Sequence, residues 1–185
     1  MSTSHTTLKF IERDILQFSD GTQIVDQRQF IKAYEGYKFT AGYRFEGVAS
    51  DAEVNILLRV PSGAGRRVFF LAFEVSSFAQ AHVDVYFDVD HSGGSSLDIL
   101  NLRRDKQGEV SPVAEPLHSV SYTPSGYHIP LVHSGGTKQF ATGGLSELSG
   151  AAILGPGNNV LIVVTNKSTS SQDVSLRLVW WEEPS

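Results

Sequence analysis

His82, Asp84, Tyr86, Asp88 and Asp90 place an imidazole, a phenol and three carboxylates at every second position of one short stretch. Successive side chains of an extended strand point to opposite faces, so all five belong to one face. Oxygen ligands at that spacing suit a divalent cation, and Asp88 and Asp90 stand beside the turn-forming Ser92, Gly93 and Gly94, where calcium could bind. Val83, Val85, Phe87 and Val89 face the other way, however, and the same alternation describes an ordinary half-buried strand with a solvated outer face. The plainer reading is preferred. The segment lacks the loop spacing of an EF-hand, so Asp88 and Asp90 are weak metal candidates and no cofactor is expected.

Other chemistries find less support. His118, His128 and His133 are scattered among prolines and glycines with no helical His pair, and read as solvated loop histidines. No Gly-x-Ser-x-Gly elbow occurs. Ser62, Gly63, Ala64 and Gly65 before Arg66 and Arg67 lack the lysine and following helix of a phosphate-binding loop, and read as a hairpin turn. With 0 cysteines, disulfides, thiolate metal sites and cysteine nucleophiles are excluded, which fits synthesis in a reducing cytoplasm. No catalytic residues are expected and the chain does not read as an enzyme. The first residues lack a cationic start followed by an apolar core, so no secretory signal is read there, and the sequon Asn166, Lys167, Ser168 is taken as coincidence.

The elements that would position these residues are strands. A length of 185 residues suits one domain able to bury a sizeable core. No run nears the roughly 20 apolar residues of a membrane helix, so no membrane association is expected. The formal charge of −5 argues against nucleic acid as a partner. Strand patterns fall at 36–43, 54–60, 68–75, 82–89, 97–102, 160–165 and 174–181, spaced by turn-rich connectors. The spacing predicts an all-β, antiparallel sandwich over residues 34–185, closed by a C-terminal hairpin. Alternation sends one of Trp180 and Trp181 into the core and the other outward, and an exposed indole favours an interface. Residues 1–33 carry weaker alternation at 8–18 and 23–31 and read as a hairpin or extended arm. Residues 107–157, with Pro112, Pro116, Pro124 and Pro130 among many glycines, read as a loop-rich mixture of short strands and exposed chain. No helix is expected beyond one possible turn within 145–154.

The stretch Tyr34 to Thr40, the turn Arg59 to Gly63, Phe73 to Val75, and the close from Asn159 to Asn166 followed by Trp180, Trp181, Glu182 and Glu183 resemble a tailed-phage virion family of small β-sandwich or jelly-roll proteins. The resemblance spans roughly residues 30 to 183 and rests on structural elements alone. It implies an auxiliary head protein that decorates and stabilises the capsid, is homotrimeric, binds the major capsid protein, and resides on the virion surface after synthesis in the host cytoplasm. Phe10, Ile11, Phe30 and Trp181 are its expected capsid or inter-subunit contacts. The main alternative is a phage tail or fibre component that binds host-surface glycans through Tyr122, Tyr127 and His128; a cupin-like or carbohydrate-active enzyme is a more distant one.

Overall fold

The computed structural model describes residues 9–11, 15–17, 23–24, 28–133 and 152–184. Three short strands come first, β1 (Lys9–Ile11), β2 (Ile15–Gln17) and β3 (Gln23–Ile24), followed by helix α1 (Arg28–Glu35). The body then runs through β4 (Lys38–Val48), β5 (Glu53–Arg59), β6 (Arg66–Ser77) and β7 (Ala81–Phe87). A run of small strands follows: β8 (Asp90–Ser92), β9 (Ser95–Ser96), β10 (Leu100–Asn101), β11 (Glu115–His118) and β12 (Ser121–Thr123). The last four are β13 (Tyr127–His133), β14 (Ala152–Leu154), β15 (Asn159–Asn166) and β16 (Gln172–Pro184).

Two sheets form the sandwich. One has the order β10-β4-β16-β6-β14 and the other β13-β7-β15-β5-β11-β9, with every pairing antiparallel. Setting aside β9, β10 and β11, the layers read β4-β16-β6-β14 and β5-β15-β7-β13, and consecutive strands change layer except at β7 and β13. That winding is the jelly roll. The expected all-β antiparallel sandwich is therefore what the chain forms, and residues 88–126 are an insertion between two neighbouring strands of one sheet.

The core follows from strand alternation. Phe39, Ala41 and Phe45 of β4, Leu176, Leu178 and Trp180 of β16, and Phe70 and Phe73 of β6 meet Ile56, Leu58, Val83, Val85, Val160, Ile162 and Val164 from the opposite sheet. A register shift between Val179 and Trp180 inserts an extra β6 residue, which is why Phe70 and Phe73, three apart, both point inward. All eight residues of β15 are buried, so it reads as an unbroken β-branched run instead of an alternation. Its outward Leu161 and Val163 join Leu57, Val89, Leu117 and Val120 in a second apolar cluster, part of which comes from the insertion.

Several expectations are corrected. The closing hairpin does not form: β15 pairs with β5 and β7, whereas β16 pairs with β4 and β6. Each strand thereby gains two neighbours, which a lone hairpin cannot supply. The turn at 61–65 is real, with Ala64 N–H donating to the Pro61 carbonyl at 3.0 Å, but it carries the chain from one sheet to the other. Residues 97–102 yield only the two-residue β10, and the 107–157 region holds β11 to β14, its segment 134–151 lying outside the described residues. The possible turn at 145–154 resolves at its described end into β14. A helix occurs where none was expected, at α1, over residues read partly as alternating strand; it packs against β4 and β16.

Trp181 does not point to solvent. It is 4% exposed, stacked on Phe69 with ring centroids 3.7 Å apart, and its indole N–H has no hydrogen-bond partner among the described residues. The outer face of this sheet is covered at that end, so alternation separates the two indoles without exposing either.

Candidate functional site

The outer face of the six-stranded sheet gathers the one cluster of chemically useful side chains foreseen in the sequence. Within β7 the alternation holds: Val83 and Val85 are buried, and His82, Asp84 and Tyr86 are half-buried on the outer side. Beside β7, β13 sets His128 opposite Tyr86. Their rings stack with centroids 4.5 Å apart and planes 8° from parallel, and His128 Nε2 lies 2.7 Å from Asp84 Oδ1. Gly126 brings β13 into this register. Its φ is +78°, and a Cβ there would lie 2.2 Å from the Phe87 carbonyl oxygen, so only glycine permits the approach.

The ribbon of β8 and β12 supplies the other wall. Tyr122, paired with His91, packs on the second apolar cluster, its ring 5.9 Å from that of Tyr86. Its hydroxyl donates to Glu53 Oε2 at 3.2 Å. Burial, with the nearby Glu53 carboxylate, pushes the Tyr122 phenol up to about 12, and burial with Asp84 also raises Tyr86. Both phenols therefore remain protonated donors throughout the neutral range. The result is a shelf of two tyrosines and a histidine flanked by two carboxylates.

Asp88 and Asp90 do not extend this face. Asp88 has left the strand, with φ at +56°, and its Oδ1 accepts from Asn158 Nδ2 at 2.9 Å and Asn159 N–H at 3.2 Å. Asp90 is exposed in β8, paired with Thr123. Among the described residues no three His, Cys, Asp or Glu side chains gather as a metal site. Tyr127 is 81% exposed, but pleating points it away from the face carrying its neighbour His128, so the expected trio of Tyr122, Tyr127 and His128 is replaced by Tyr86, Tyr122 and His128. His118 stacks on Tyr43 at 3.9 Å, bridging the two sheets. Of the expected contact residues, Phe10 and Ile11 fall in β1, Phe30 in α1, and Trp181 is enclosed.

Two buried polar centres were missed. Asn166 is 0% exposed; its Nδ2 donates to the carbonyls of Val48, Ala49 and Ser170, and its Oδ1 accepts from Ser168 and from Gln172 Nε2. This ties the connections 49–52 and 167–171 together and gives the sequon a structural role, with its amide enclosed. Glu182, also 0% exposed, accepts from Val113 and Ala114 N–H, from Trp180 Nε1 and from Arg66. A polar residue interrupting a strand that is otherwise apolar on that face was the available signal for Glu182.

Comparison with known proteins finds no matching family model, no matching curated protein and no matching solved structure.

Proposed function

We propose that this chain is a structural virion protein that decorates and stabilises the capsid of a tailed phage. One observation carries the reading: β1, β2 and β3 form a three-stranded sheet of their own that pairs with no sandwich strand among the described residues. A rigid body with a separate N-terminal attachment element fits a protein that grips a surface while its loops face outward. The jelly roll is a frequent architecture of viral shell proteins, a fold-level analogy that adds weight without naming a site. In this reading the major capsid protein is the partner, the protein assembles as a homotrimer, and it acts without catalysis on the virion surface after synthesis in the host cytoplasm. Repeated modest contacts over a symmetric lattice then give avidity without a single tight interface.

Mixing the purified protein with undecorated capsids of its own virus tests this directly. Regular lattice occupancy by electron microscopy, lowered about tenfold or more by Phe10→Asp with Ile11→Asp while circular dichroism stays unchanged, is the expected result. Intact protein that ignores those capsids overturns the proposal.

A further inference from the structure

We propose that the shelf formed by Tyr86, Tyr122, His128, Asp84 and Glu53 is a binding site for a neutral saccharide, an activity beyond shell attachment and independent of it.

The argument is one of matched chemistry. A pyranose presents an apolar face of C–H groups and an edge of vicinal hydroxyls. Half-exposed aromatic rings accept the first, and carboxylates accept hydrogen bonds from two adjacent hydroxyls at once. The shelf offers both within one small area: the exposed side of His128, 41% accessible and stacked on Tyr86, with Asp84 at 2.7 Å from its Nε2, and Tyr122 held to Glu53 at 3.2 Å. The Tyr86 hydroxyl adds a donor beside these acceptors, and the Tyr122 oxygen, its proton directed at Glu53, adds a further acceptor, so a sugar hydroxyl finds both kinds of partner.

The positions are fixed before any ligand arrives. Tyr86 and Asp84 lie on β7, His128 on β13 and Glu53 on β5, all in one sheet, and Tyr122 is anchored by the buried cluster of Leu57, Leu117, Leu161 and Val163. Sites built on strands hold their geometry better than sites on free loops, which lowers the ordering cost of weak binding. Charge sets the class. Asp84 and Glu53 both stand at the rim, so a sialylated or uronic acid residue meets like charge, whereas an uncharged hexose does not.

The full-length protein is titrated by NMR with methyl glucoside, methyl galactoside, methyl mannoside and N-acetylglucosamine, and applied to a printed array of neutral and acidic oligosaccharides. The expected result is saturable shifts centred on residues 82–86, 122 and 128, with dissociation constants of the order of 1–10 mM for a single sugar, and array signal confined to neutral glycans. Asp84→Asn and Tyr122→Phe, both retaining shape, weaken binding about five- to tenfold, and Tyr127→Ala leaves it unchanged. No saturable shift up to about 100 mM together with a blank array overturns the inference. So does tighter binding of acidic glycans, or of a hexalysine probe, which would mark the shelf as a cation site. Capsid occupancy of Asp84→Asn, expected to equal that of the parent chain, separates a failure here from a failure of the attachment reading.

Discussion

The two ends of the jelly roll are each tied by one fully enclosed polar side chain, and the two use opposite chemistry. At one end Asn166 is an amide, able to donate and accept, and it bonds carbonyls on one side and donors on the other. At the other end Glu182 only accepts, and everything around it donates: two backbone N–H groups, an indole N–H and the Arg66 guanidinium. A neutral centre can hold loops that present both kinds of backbone group, whereas a charged one needs a wholly donating shell and a cation. The difference teaches that each hub is specified by its acceptor-to-donor balance and tolerates exchange badly.

Substitutions that violate that balance are the sharpest tests. Glu182→Ala leaves Arg66 and three N–H donors without their acceptor and should cost about 3–5 kcal/mol in urea unfolding. Asn166→Asp puts a carboxylate against the carbonyls of Val48, Ala49 and Ser170 and should cost about 3 kcal/mol; a loss under about 1 kcal/mol would show that water relieves that end. The adjacent tryptophans refine the picture. Trp180→Phe removes the N–H that reaches Glu182 at 3.2 Å and should cost about 2 kcal/mol, whereas Trp181→Phe deletes an unpartnered N–H and should change stability by less than about 1 kcal/mol.

The smallest expected effect is acid sensitivity at the Asn166 end. Asp51 is held below the usual carboxylate range by its hydrogen bond to Lys167, and Asp173 by the Gly47 N–H and then Arg44. Both folded-state values are depressed, so their contribution is complete above the ordinary value of 3.8 and fades as pH falls through the lower folded values. Amide protection factors at 48–52 and 167–172 should therefore fall as pH drops below about 4, more than those in β5 or β15, and Asp173→Asn should flatten the dependence.

Much of the body was legible because strand periodicity is local. The alternation from His82 to Phe87 was read correctly, and β5, β6, β15 and β16 lie close to their expected positions. Sheet membership was not, since nothing in residues 155–185 says whether β15 and β16 pair with each other or with strands a hundred residues away. Trp181 was misplaced for a related reason: alternation tells which side a residue faces, not what covers that side. The shelf was half visible. Asp84, Tyr86, Tyr122 and His128 were each singled out, but only the register of β13 on β7 and the glycine at 126 bring His128 to Tyr86, and Glu53 joins through a contact that spans 69 positions in the chain.

The central position of β16 has a consequence in time. This strand lies between β4 and β6, so the five-stranded sheet cannot assemble until residues 172–184 have been synthesised. Until then β4 and β6 wait with an open lane between them and their Phe39, Phe70 and Phe73 uncovered. Long-range strand insertion of this kind is slow, and apolar surface left uncovered meanwhile is prone to aggregate.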